Sequence, residues 1–333
     1  MIGTHALLEE RVQFADLGLV VVDEQHRFGV EQRAALNAKA GSPPHVLVMT
    51  ATPIPRTVAM TVFGDLDTSS LVELPAGRGE VQTTVVPTLA QPGWLNRAWE
   101  RVREEVAQGR QAYVVCARID PDEGSGDQPG ARPLRAVEEL APQLAAVELA
   151  GLRVEMLHGR MPPEEKDRTM QAFARGEVQV LVSTTVIEVG VDVPNATVMV
   201  ILDADRFGVS QLHQLRGRIG RGGHAGLCLL VSAADPASSS MERLIAVAGT
   251  RDGFALSRID LEQRREGNVL GIEQSGGRSG LKLLSVLRDE EVIERARAAA
   301  TAHLAADPDL GPALAEAARR LEESEQADYL DKT

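Results

Sequence analysis

Seven short apolar runs limit what this chain can fold into: Leu17 to Val22, His45 to Met49, Gln111 to Ala117, Arg153 to Leu157, Val178 to Ser183, Thr197 to Leu202 and Gly226 to Val231. Their length and their Val and Leu content are those of buried strands. Amphipathic stretches of helix length lie between them, clearest in Trp94 to Ala107 and Leu134 to Leu149. Strand and helix in alternation is the pattern of a parallel sheet, so the fold class is α/β. Aromatic residues are only 3% of the chain, so Val, Leu and Ala must fill its core.

The alternation breaks twice. Leu74 to Pro87, LPAGRGEVQTTVVP, has the Pro and Gly of a linker, and Ser232 to Ser240, SAADPASSS, ends the strand pattern. Three parts follow: residues 1–80, 81–235 and 236–333. The first has two clear strands, too few for an α/β domain of ~100 to 150 residues, and reads as the remnant of a larger one. In the third, helices over Met241 to Ala248 and Glu290 to Ala306 flank glycine-rich loops between Arg251 and Gly280, before an acidic, solvated end. Asp120 to Pro133 reads as a long Gly-, Asp- and Pro-rich loop.

A net charge of −13 argues against a simple basic coat for nucleic acid but leaves room for a local basic groove. Thirty-one of the 35 basic residues are arginine, the side chain suited to bidentate phosphate contact. No apolar segment approaches the ~20 residues of a membrane span, and Met1 is followed by no basic and apolar leader. The reading is cytoplasmic, without a membrane partner. Cys116 and Cys228 each lie in a strand-like run and read as buried reduced thiols, and nothing has zinc spacing.

Four stretches carry chemistry. Leu17 to Phe28, LGLVVVDEQHRF, is a strand ending in two carboxylates at the edge where an α/β sheet binds ligands. There Asp23 can reach a metal and Glu24 a neighbouring water, although a plain acidic turn would look the same. Val46 to Thr57 ends a second strand in Thr50-Ala51-Thr52, whose hydroxyls can bond the acid-and-His motif or merely cap a helix. Leu181 to Pro194 ends a third strand in Ser183-Thr184-Thr185, hydroxyls suited to phosphate oxygens. In the same stretch Gly190 to Asp192 sets a carboxylate in a tight turn. Gln214 to Arg221, QLRGRIGR, places Arg218 and Arg221 three apart, on one face if helical, with glycines that permit close backbone approach. Two arginines of this kind suit a transferring γ-phosphoryl group. The glycine-rich loop ending in G-K-[ST] is absent: none of Lys39, Lys166, Lys282 and Lys332 follows a glycine.

In this order, D-E-x-H, T-A-T, S-T-T…G-V-D and Q-x-x-G-R-x-G-R resemble the superfamily 2 helicases and translocases. GTHALL at Gly3, DEQHRFGVEQR at Asp23, MTATPIPRTVAMTVFGDLD at Met49, LHGRM at Leu157 and TRDGF…QSG at Thr250 resemble the bacterial RecG family in particular. The transcription-repair coupling factor shares ATPIPRT and HGRM but usually reads D-E-E-H where this chain has Gln25. The resemblance implies RecA-like parallel sheets, the first truncated and the second complete, followed by a mainly helical module. It implies ATP and Mg²⁺ as cofactors, with Asp23 on the metal and Glu24 as general base. Gln25 and His26 would couple nucleotide state to Thr50 and Thr52. Asp192 would contact the ribose, in the turn that Gly190 opens, and Gln214, Arg218 and Arg221 the phosphates. His158, Gly159, Arg160, Thr184 and Thr185 would line the DNA path, and Arg243, Arg264 and Gln274 match the family's translocation motif.

The implied function is part of an ATP-dependent branched-DNA translocase acting in fork regression and Holliday-junction branch migration, during DNA repair and recombination. Its partners would be duplex and branched DNA and, in the family's setting, the single-stranded-DNA-binding protein, in the bacterial cytoplasm at the nucleoid. The family's wedge domain and phosphate loop would precede Met1, so the isolated chain is expected to lack ATPase activity. The alternative is a catalytically dead module that binds DNA or a partner. Two departures stand out: Arg264-Arg265-Glu266-Gly267 replaces R-G-P-G, and Ala117 stands where the family often has Pro.

Overall fold

The computed structural model describes residues 1–3, 5–8, 12–23, 44–50, 69–71, 79–119, 135–188, 191–264, 289–308 and 311–322. The chain divides into two compact units, one of Met1–Ser70 with Leu261–Thr333, the other of Leu71–Asp260.

The second unit is built on six strands: β3 (Val81–Pro87), β4 (Gln111–Val115), β5 (Val154–Leu157), β6 (Val180–Ser183), β7 (Ala196–Ile201) and β8 (Gly226–Ser232). They run parallel in the order β3-β8-β7-β4-β6-β5. β4, β6 and β7 are buried at every position, which is why their sequences are continuous apolar runs rather than alternating ones.

Helices cover both faces. On one lie α1 (Gly93–Ala107) and α2 (Val137–Ala146), whose Trp99, Val102, Leu140 and Leu144 recur at helical spacing and pack on Val114, Val182 and Val200. On the other lie α3 (Pro163–Ala174), α4 (Val209–Arg216) and α5 (Ser239–Gly249), which bring Phe173, Leu212, Leu215 and Leu244 onto Leu181, Met199 and Ile201. Local signals set the ends of these helices. Pro163 opens α3 with Glu164 and Glu165 in its first turn, and the Ser238 hydroxyl accepts from Met241 N–H at the start of α5.

Two expectations need correction. The Leu74 to Pro87 stretch is not all linker: its last seven residues are β3. β-branched VQTTVV suits an outer strand, and Pro87 is tolerated because it closes that strand at the sheet margin. The glycine-rich stretch from Arg251 also begins with a helix, α6 (Gly253–Arg264), whose Leu256 is buried in the core while its glycine stands at the helix start. The Asp120 to Pro133 loop lies outside the described residues.

The first unit contains β1 (Leu19–Val22) and β2 (His45–Val48), a parallel pair, and two helices, α7 (Glu290–Ala306) and α8 (Pro312–Glu322). Val20 and Val22 are buried there, while Leu19, Val21 and Leu47 are at least half exposed.

Candidate nucleotide and DNA sites

In the first unit, pairing of Val22 with Val48 brings two candidate residues to one sheet edge. Met49 N–H donates to the Val22 carbonyl at 2.8 Å, so Asp23 and Thr50 leave neighbouring strand ends, with Asp23 exposed to solvent. Glu24, Gln25, His26 and Thr52 lie outside the described residues. No cluster of three metal-ligating side chains occurs among the described residues.

In the second unit the DNA candidates gather at the C-terminal edge of β5 and β6. Leu157 is in register with Ser183, which makes His158 and Thr184 neighbours, and Thr184 N–H points to the Leu157 carbonyl at 3.4 Å. Thr185 opens a short 3-10 turn, Thr185–Glu188, and Gly159 and Arg160 are exposed beside it. His158 is buried; its Nε2 lies 3.9 Å from a Glu138 carboxylate oxygen, and its Nδ1 has no partner among the described residues. The buried Ser183 hydroxyl next to it is likewise unpartnered. Buried polar atoms of this kind are costly unless a ligand or water meets them.

Arg243 and Arg264 are placed differently. Arg243, on α5, donates to the Asp205 carbonyl at 2.7 Å, beyond the end of β7. Arg264 is the last residue of α6, and Gln274 lies outside the described residues.

The nucleotide candidates lie at the opposite end of the same sheet. After Thr185–Glu188 the chain descends to Asp192, four residues before β7 begins. α4 carries Gln214 in its last turn and ends at Arg216, so Arg218 and Arg221 sit on the loop beyond it rather than on one helical face. Arg221 Nη1 meets Asp192 Oδ1 at 3.2 Å, and Arg221 Nε donates to the Gly217 carbonyl at 2.9 Å. Glycines make this packing possible. Gly220 has φ of 71°, and a Cβ on Gly222 would fall 2.4 Å from the Pro194 carbonyl oxygen. Gly190 lies outside the described residues. The two ends are separated by the length of the five-residue β4, roughly 16 Å.

Two residues that the motifs did not single out belong to the nucleotide end. Tyr113 sits inside β4, its ring packed at a tilt of 55° against Phe173 with centroids 4.9 Å apart. Burial pushes its phenol up to about 12, with Arg218 and Arg221 close enough to oppose the shift and Asp192 to add to it. Arg216 is only 4% exposed; it donates to the Val247 and Thr250 carbonyls at 3.1 and 2.7 Å and meets His213 Nδ1 at 2.8 Å. It ties the end of α4 to the end of α5. A tyrosine within an apolar run and an arginine within a basic motif give no sequence sign of these roles.

Helices on both faces of a parallel sheet make the second unit a two-faced α/β domain, with an acid–arginine pair at one end and buried hydroxyls at the other. Residues 97–223 match the helicase conserved C-terminal domain. The whole chain is 57% identical to the ATP-dependent DNA helicase RecG of Mycobacterium tuberculosis (strain ATCC 25618 / H37Rv), covering 45% of that protein. It is 46% identical to the RecG of Bacillus subtilis (strain 168) over 92% of this chain and 43% of that one. A solved structure of RecG bound to a three-way DNA junction superposes with a TM-score of 0.61 at 41% identity, over 88% of this chain and 36% of that chain. The Lhr helicase of Mycobacterium smegmatis, bound to single-stranded DNA and AMP-PNP, shares the fold at 17% identity and a TM-score of 0.50, over 69% of this chain and 31% of that one.

The chain matches the C-terminal portion of RecG helicases. It spans under half the length of the curated relatives it matches.

Proposed function

We propose that this chain forms the C-terminal motor portion of an ATP-driven translocase on branched duplex DNA, within the parts expected as residues 1–80, 81–235 and 236–333. The observation that carries the reading is the 3.2 Å approach of Asp192 and Arg221 at one end of a sheet whose other end presents Thr184 and His158. One packed body then carries groups for a nucleotide and groups for phosphate backbone, which is what a motor must connect.

The residues fit ATP and Mg²⁺. Mg²⁺ is commonly held by one or two carboxylates together with substrate phosphates, and Asp23 offers one exposed carboxylate at a strand end. When bound, the ion neutralises charge developing on the transferred phosphoryl group. Glu24 acts as general base on the attacking water, Gln25 and His26 relay nucleotide state to Thr50 and Thr52, and Asp192, with Gly190, binds the ribose end of the nucleotide. Gln214, Arg218 and Arg221 bind the phosphates. His158, Gly159, Arg160, Thr184 and Thr185 contact the DNA backbone, and Arg243, Arg264 and Gln274 belong to the element that moves it. The setting is fork regression and Holliday-junction branch migration at the bacterial nucleoid, with single-stranded-DNA-binding protein as a partner.

A second reading is a module that binds DNA or a protein without hydrolysis, favoured by the lack of any G-K-[ST] sequence in these 333 residues. The test is ATPase and DNA binding by the purified chain. Salt-dependent binding to forked and duplex DNA, reduced by Arg160→Ala, with no DNA-stimulated hydrolysis, is the expected result. Robust hydrolysis by the isolated chain overturns its expected inactivity. In a full-length relative, the change equivalent to Arg221→Ala lowers kcat by ~10³ to 10⁵; an unchanged rate removes the finger role.

A further inference from the structure

The edge strand β5 pairs only with β6 among the described residues. At its end the Leu157 carbonyl turns toward β6 and accepts from Thr184 N–H. Alternate residues of a strand turn their N–H and C=O groups to opposite sides, so both main-chain groups of His158 face away from the sheet. His158 is buried, and an unmet main-chain group there costs free energy. Met161 meets both: its sulfur accepts from His158 N–H at 3.4 Å, and its own N–H donates to the His158 carbonyl at 3.2 Å.

The position of Met161 is fixed from its other side. It is buried in the core beneath α3, and Pro162 and Pro163 follow it, which hold the chain extended before α3 begins. Lys166 Nζ reaches back from α3 to the Gly159 carbonyl at 3.3 Å. Between the two clamped residues the chain turns outward, and Gly159 and Arg160 are exposed. A thioether is a weak acceptor, so leucine would fill the same space as well; only the bond to His158 N–H asks for sulfur.

We propose that Met161 is a positioning residue for the DNA contact: its sulfur and amide lock the turn from His158 to Met161, and the locked turn sets Arg160 toward a phosphate of the DNA backbone. This rests on the reading of Arg160 as a backbone contact. It adds to that reading the residue that holds the contact in place and the atom through which it does so.

Met161→Leu keeps the side-chain volume and removes the acceptor. In the 333-residue chain its urea transition, followed by tryptophan fluorescence, is expected to move little, while the His158 amide exchanges at least about tenfold faster, as a buried N–H without its acceptor. Binding of forked DNA then separates position from packing. Arg160→Ala is expected to weaken binding about fivefold or more in the parent chain but less than about twofold in Met161→Leu, where the guanidinium is already misplaced. Met161→Gln, whose amide oxygen can take the N–H, is expected to restore the full Arg160 effect. Equal losses on Arg160→Ala in the parent and in Met161→Leu overturn the proposal and leave Arg160 as a DNA contact. No loss in the parent removes the DNA contact itself, and the proposal with it. Unchanged amide exchange at His158 in Met161→Leu overturns the proposal whatever the DNA result.

Discussion

β7 and β1 carry the same kind of sequence, ATVMVI and LVVV, and meet different fates. β7 is buried at all six positions and β4 at all five, whereas β1 is buried only at alternate positions and β2 has no buried residue. The difference lies in the neighbours, not in the strands. β4 has strands on both sides and helices above and below; β1 has one partner among the described residues, and Leu19, Val21, Val46, Leu47 and Met49 are each at least 40% exposed. A two-stranded sheet is marginal in water because its layer is not closed. An apolar run identifies a strand, while the completeness of the layer decides how much that strand stabilises.

Hydrogen exchange offers the largest test of this contrast. Amides of β4 and β7 open only with the whole sheet, and those of β1 and β2 by local opening, so protection in the 333-residue chain should differ by about a thousandfold or more. Equal protection of the two sheets breaks the comparison.

Matched truncations come next. Ile201→Ala, at a fully buried position, is expected to cost about 2–5 kcal/mol, and Leu47→Ala, at a half-exposed one, under about 1 kcal/mol. Both tryptophans, Trp94 and Trp99, lie in α1, so tryptophan fluorescence in urea reports the second unit alone and should register only the first change.

The strands were legible because length and Val content mark them, and all seven strands that the apolar runs marked begin and end within two residues of those runs. β3 was hidden by Pro75, Gly77 and Gly79 before it and by three polar residues, Gln82, Thr83 and Thr84, inside it. α6 was hidden by the glycine at its start. Motif order marked the candidate residues, but their separation into two ends was not legible, because it follows from the path of Thr185–Glu188 down one face and α4 down the same face. Nor could spacing reveal that Asp192 and Arg221, 29 residues apart, meet.

Arg216 tests how the nucleotide end is held. Arg216→Met keeps most of the side-chain volume but leaves the Val247 and Thr250 carbonyls without their charged donor. A buried bond to a charged group is typically worth ~1.5–3 kcal/mol, so the loss should fall near 2 kcal/mol in the same fluorescence-monitored urea transition. A neutral result would show that these carbonyls find other donors, and that α4 and α5 are joined by packing alone.

The smallest effect should come from the surface of α1, on the helix that carries the reporter tryptophans. Bonds from Arg97, then Arg101, lower the Glu104 carboxyl to about 2 from 4.5. A carboxyl depressed in the folded state stabilises above its unfolded value, and that stability is lost as pH falls through the folded one. Glu104→Gln should therefore lower Tm slightly and evenly above about pH 5, with the difference closing as pH approaches about 2. Both partners are exposed, so molar salt should erase most of it. A Tm difference that persists at low pH or in high salt would assign the contribution of Glu104 to packing on α1, and would place part of the second unit's stability outside its closed layers.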